Sequence, residues 1–241
     1  MRVNEVLQEF ERFGAVKTLQ DLALRSAKVL CSARILKAVA METVNPEFLK
    51  CDKPYRGEFL SRARLTEMVR NRPEYEISER FLREAFDKGD ECYGILDGPV
   101  LAAYGWYSNV PTAIDSPGMV VHFDDRYIYM YKGFTHVNYR GQRFHAIGKT
   151  RALESYLSRG YQGLLSYIEW NNFSSLRSCY RIGCKHFGQV YVARLCGRYI
   201  THADDGCRRY SFRLESAAAQ SGLAHRKSQT APLSVPTDQG R

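Results

Sequence analysis

No apolar run in this chain reaches the roughly 20 residues that a membrane-spanning helix needs. The opening residues Met1-Arg2-Val3-Asn4-Glu5 start no signal peptide. The seven cysteines (Cys31, Cys51, Cys92, Cys179, Cys184, Cys196 and Cys207) contain no CxxC pair, and their odd number cannot close fully into disulfides. That pattern argues against a zinc module or a disulfide framework and favours reduced thiols in a cytoplasmic protein, with no metal expected. An arginine-rich arm is missing too. Lysines and arginines are scattered among acids, so the net charge of +9 reads poorly as nucleic-acid binding. A basic soluble surface, or attraction of a polyanionic small ligand, remains.

The 241 residues suit one domain with extensions and a sizeable core. Residues 1–30 place Val3, Val6, Leu7, Phe10 and Phe13 at helical spacing, continued by Val16, Leu19 and Leu22. They read as a helical N-terminal extension, a packing helix or an oligomer arm that would allow a homodimer. The body is expected over residues 31–215. From 216 to 241, Ala, Ser, Gln, Thr and Pro dominate, and a disordered tail is expected. The tail carries Arg226, Lys227 and Arg241 against Asp238, so most of the positive charge stays on the body.

Within the body, residues 34–40 read as a first strand. Residues 58–86 carry two helical patterns, one holding Phe59, Leu60, Leu65 and Met68, the other opening at Ser78 as N-cap. Asp97-Gly98 between two apolar runs signals a hairpin. The segment 108–126 is long for a strand connection and reads as a functional loop or plain surface. Residues 187–195 and 208–214 read as a closing antiparallel pair.

The most informative stretch runs from Tyr127 to Gly183. Residues 127–135 alternate and are rich in aromatics, as a strand is. A cationic turn, His136-Val137-Asn138-Tyr139-Arg140-Gly141-Gln142-Arg143, follows, and a helical pattern begins at Phe144. Strand, basic turn and helix start together make a phosphate grip. First-turn amides lack intrahelical partners, and the helix dipole puts partial positive charge there. Gly148-Lys149-Thr150 imitates the end of a nucleotide P-loop, but Arg143 stands where that loop needs glycine and Gly148 falls inside the helical pattern.

Tyr139-Arg140-Gly141-Gln142-Arg143-Phe144-His145 resembles the acyl-CoA turn of the GNAT acyltransferases, [Q/R]-x-x-G-x-[G/A]. The stretch from Asn172 to Cys184 resembles the family's next block, an asparagine with a small residue three positions on and a glycine closing the helix. The clear resemblance covers about 127–191.

It implies an α/β fold: a mixed, mostly antiparallel central sheet with a splayed parallel strand pair and flanking helices. It also implies an acyl-CoA-dependent N-acyltransferase in which an amine of unknown identity, small or peptidic, attacks the thioester directly. Acetyl-CoA is the expected donor, and the aromatic strand leaves room for a longer acyl group. An N-acyl amino acid synthase fed by an acyl-carrier protein, or a CoA-binding module without turnover, is the alternative.

Under the resemblance, Phe134 and Thr135 would hold pantetheine through their main chain. The amides of Gly141, Gln142, Arg143, Phe144 and His145 would cradle the pyrophosphate, with Arg140 or Arg143 adding charge. Arg143 replaces the family's glycine and His145 its glycine or alanine. His145 serves as ligand group or packing residue, and Asn172 as pantetheine contact or helix N-cap. The family's acid is a tyrosine seven residues after the asparagine. Here Cys179 holds that place, with Tyr180 one residue late and turned by about 100° toward the core. Cys179 could donate a proton, receive the acyl group, or simply pack. No carboxylate occurs in 127–135, and Glu169, His136 and Asp124 are the candidate bases.

Overall fold

A computed structural model describes residues 31–216 apart from 115 and 117. The expected N-terminal extension, and the expected tail beyond 216, lie outside these residues. Ser216 itself closes a strand.

Eight strands form the main sheet: β1 (Cys31–Met41), β2 (Arg56–Leu60), β3 (Glu91–Asp97), β4 (Val100–Ser108), β7 (Ile128–Thr135), β8 (Leu164–Glu169), β9 (Lys185–Leu195) and β10 (Arg198–Ala203). Their order is β10-β9-β1-β8-β7-β4-β3-β2, antiparallel throughout except between β7 and β8. A second sheet of three strands joins β5 (Thr112–Ala113), β6 (Met119–His122) and β11 (Arg213–Ser216) in the order β11-β6-β5. The helices are α1 (Arg62–Val69), α2 (Glu79–Lys88), α3 (Phe144–Ser158), α4 (Phe173–Arg181) and the short α5 (Asp205–Arg208). This is the mixed, mostly antiparallel sheet with one splayed parallel pair that the resemblance implies.

The period of two along the strands builds two buried faces. On one face Val39, Met41, Ile128 and Met130 pack with Ile147, Leu153 and Tyr156 of α3. On the other, Leu36, Ala38, Tyr129 and Val190 pack under Val121 and Leu214 of the small sheet and under Phe212 just before β11. Cys92, Leu101 and Trp106 pack under Leu65, Leu82 and Ala85 of α1 and α2. Each large side chain so buried contributes roughly 1.5–3 kcal/mol.

Several local readings hold. The Ser78 hydroxyl accepts from the Phe81 amide at 3.1 Å and starts α2. Gly98, at φ 56°, turns the β3–β4 hairpin. Others change. Phe59 and Leu60 belong to β2, opposite Tyr93 and Cys92, because helix α1 begins only after its cap Ser61. The segment 108–126 supplies β5 and β6. The expected closing pair is split: β9 pairs with β10, and the later segment pairs with β6 in the second sheet. The reason is a tight turn at Cys196 and Gly197, both at positive φ (47° and 79°), which folds the chain straight back on β9.

Candidate active site

Strands β7 and β8 are paired only at Ile128–Leu164 and Tyr129–Leu165, and then diverge. A cavity of about 800 Å³ occupies the gap, lined by β7 from Tyr129 to Gly133 and by Thr135, by Ser166 to Glu169, and by residues of α3 and α4. Past Tyr129, the β7 edge that faces β8 has no strand partner among the described residues, so its backbone groups remain available to a ligand.

The turn after β7 closes one end of this cavity. Tyr139 donates its hydroxyl to Asp97 Oδ2 at 2.8 Å and ties the turn to the hairpin. Gly141 has φ 84° and lines the cavity with Arg140. Arg143 caps α3 without a side-chain hydrogen bond, so the first amides of the helix keep no side-chain cap. Arg143 sits at φ 61°, which explains the glycine that the resemblance expects there; an L residue accepts this at about 1–2 kcal/mol. Arg143 thus ends the turn, with Phe144 starting the helix as the sequence places it. Its guanidinium does not turn into the large cavity but pairs with Glu47 at 2.6 Å and lies over Phe48.

The other expected binding residues separate clearly. Thr135 and His145 line the cavity, whereas Phe134 stacks on Tyr104 with centroids 5.2 Å apart. Gln142 is exposed, and Phe144 is buried against Tyr55. His145 packs across Gly133, where a β-carbon would come within 2.7 Å of its ring. Burial, then the nearby Lys149 charge, pushes the imidazole down to about 4, so it is neutral near neutral pH. Asn172 lines the cavity while its side chain caps α4, accepting from the Ser175 amide at 3.1 Å.

The helical wall holds a group that sequence reading passed over. Lys149 is 4% exposed, and its Nζ lies 3.4 Å from Cys184 Sγ and 3.8 Å from Cys179 Sγ. Among the described residues it forms no ion pair with a carboxylate, and a buried ammonium requires a counter-charge. Burial pushes Lys149 down, but attraction to the two sulfurs outweighs it and the amine stays protonated. A hydrogen bond from Cys179, then Lys149, holds the Cys184 thiol down at about 6 against burial. Donation to Cys184, together with burial, raises Cys179. The two thiols thus share a proton beside the ammonium, with Cys179 raised, Cys184 lowered, and Cys179 lining the cavity. Gly148 lies within α3, so the P-loop likeness has no structural counterpart.

Tyr180 does not line the cavity, and the expectation that it faces the core is corrected. It is 43% exposed because Leu176, Cys179 and Ile182 form the inner face of the α4 segment. Glu169 lines the cavity with its carboxylate bound by Arg34, whose Nε donates at 2.9 Å. Asp124 is held down at about 2 by Arg126 and lies outside the cavity, as does His136, which packs on Tyr139.

A second cavity of about 370 Å³ lies between α2, the small sheet and the splay, and shares Tyr129, Tyr131, Lys132 and Tyr167 with the first. Beside it the Tyr131 hydroxyl donates to Asp90 Oδ2 at 2.6 Å, and Lys88 Nζ approaches the same oxygen at 2.9 Å. Asp90 is 2% exposed and its Oδ1 has no hydrogen-bond partner.

No protein-family model matches the chain, and no curated protein does. Solved structures do resemble it at low identity. One is described as a GNAT-family acetyltransferase from Novosphingobium aromaticivorans: TM-score 0.47, 14% identity, covering 77% of this chain and 66% of that one. A GNAT-family acetyltransferase from Colwellia psychrerythraea gives 0.45 and 12%, over 76% of this chain and 57% of that one. An aminoglycoside acetyltransferase from an uncultured soil metagenomic sample gives 0.42 and 11%, over 56% and 90%. The chain thus spans just under two thirds of the first structure's length, less of the second's and most of the third's.

Proposed function

We propose that the protein is a GNAT-type N-acyltransferase that moves an acyl group, acetyl in the simplest case, from CoA to an amine. The observation that carries this reading is the joining of three features in one cavity. They are the unpartnered β7 edge, the uncapped start of α3 beside Gly141 and Arg140, and the cavity-facing thiol of Cys179. The β7 edge suits the amide groups of a pantetheine arm. The helix start with Arg140 suits a pyrophosphate. Alignment of amine and thioester in the gap would supply much of the rate. The amine nitrogen attacks the thioester carbon, the C–N bond forms, and the C–S bond breaks. The nitrogen sheds one proton as the C–N bond forms, and the departing sulfur takes one from Cys179, which shares a proton with Cys184 beside Lys149.

The full chain, incubated with acetyl-CoA and a mixed amine panel, is expected to release free thiol only with an amine present, in step with an amide product detected by mass. CoA binding without amine-dependent thiol release would favour the second reading, a CoA-binding module without turnover. That reading draws on the solvent-facing Tyr180 and on the commitment of Glu169 to Arg34.

A further inference from the structure

Deepening the acyltransferase reading and resting on it, we propose that the acceptor is a small monoamine with an apolar or aromatic body, bound in the 370 Å³ cavity, and that Tyr131, backed by Asp90, takes the proton from its nitrogen. The cavity opens onto the same gap as the larger one through Tyr129, Tyr131 and Lys132, so a nitrogen placed there approaches the acyl carbon from the face opposite α3. Its walls are Phe81, Tyr131 and Tyr167 with Ala85 and Ile114, which suit an apolar body. Lys88, Lys132, Asp90 and Glu84 stand among them, with Asp90 matched by Lys88 and Glu84 by Arg80. A second ammonium on the ligand would therefore find no carboxylate without an ion-pair partner among the described residues of this lining.

The proton has one built route. The two carboxylates expected from sequence are committed to Arg34 and Arg126. Asp90 instead is buried with one oxygen on the Tyr131 hydroxyl and the other without a partner, a costly arrangement that a structural ion pair with Lys88 does not require. Burial, and then the bond to Asp90, keep the Tyr131 hydroxyl protonated and donating, which leaves its oxygen lone pair to accept. As the C–N bond forms and the C–S bond breaks, the proton shed by nitrogen passes to the Tyr131 oxygen. Tyr131's own proton moves to Asp90, and Cys179 protonates the departing sulfur. Solvent then restores both groups. Tyr131 is thus a catalytic residue, and Asp90 a positioning residue that acts through it.

The test compares two probes of similar shape in the full-length protein with acetyl-CoA. Benzylamine is protonated at neutral pH, whereas O-benzylhydroxylamine is not and needs little help from a base. Tyr131→Phe is expected to lower kcat/KM for benzylamine by about a hundredfold, the lower end for general base help, and for O-benzylhydroxylamine by less than about tenfold. Asp90→Asn, which keeps a hydrogen bond to Tyr131 but accepts no proton, should reproduce that split, with CoA affinity unchanged in both variants. Equal losses with the two probes, or no loss in either variant, would overturn the proton role. Faster acetylation of spermidine than of benzylamine by the wild type would overturn the acceptor class. Transfer to neither probe while the mixed amine panel still yields an amide would overturn the acceptor class alone, whereas no amide from any amine, with CoA bound, would defeat the acyltransferase reading and this inference with it.

Discussion

The buried Lys149–Cys184–Cys179 group sets the chemistry of the cavity wall, and its members can be separated by substitution. Lys149→Met removes the ammonium that, after the hydrogen bond from Cys179, lowers the Cys184 pKa. Thiolate absorbance, which should grow in the wild type as the pH rises through about 6, is expected to appear only at higher pH in the variant. An unchanged titration would mean that the ammonium does not hold the thiolate. Cys179→Ser should lower turnover by about ten- to a hundredfold, while CoA affinity holds, because the lost interaction belongs to the transition state. Tyr180→Phe should change neither, since the residue is 43% exposed and lies outside the cavity lining. A large loss in Tyr180→Phe with Cys179→Ser harmless would reverse the assignment. Sequence spacing could place Cys179 at the motif position. It could not show that Lys149 meets it, since 30 residues separate the two. Nor could it reveal Asp90, 41 residues from Tyr131.

At the scale of elements, the strand–turn–helix unit to which the phosphate grip is assigned was legible because its three parts are contiguous in sequence. Gly141→Asp tests it. A β-carbon there meets nothing within 4 Å, so the fold should persist, at about 1–2 kcal/mol for the left-handed backbone. CoA affinity should nevertheless collapse, because a carboxylate then faces the pyrophosphate. Retained affinity in a folded Gly141→Asp protein would remove the phosphate grip from this turn. Helix α3 carries the turn and also fills the core. Leu153→Ala should cost about 2–5 kcal/mol in denaturant unfolding. A cost below about 1 kcal/mol would show that α3 is not tightly packed there. Harder to read were β2, β5, β6 and β10. Their partners lie across the fold, and short strands of mixed polarity carry little signal of their own, although the Cys196-Gly197 pair was a readable turn.

Over the whole molecule, the alternation of buried residues gave the main sheet's central strands, since Leu36, Ala38 and Ala40 face one side while Val39 and Met41 face the other. The second sheet was not legible, because β11 finds β6 some 90 residues earlier. With α2 that sheet walls the smaller cavity, so that two cavities meet at the splay, which is the arrangement the proposed function uses. The account therefore stands or falls on a ligand lying through the gap between β7 and β8. Amide hydrogen exchange of the full chain, with and without saturating acetyl-CoA, measures this most directly. The account predicts slowed exchange in residues 132–135 of β7 and 141–146 at the start of α3, with little change in β10. Protection confined to other segments, or none at saturation, would contradict it.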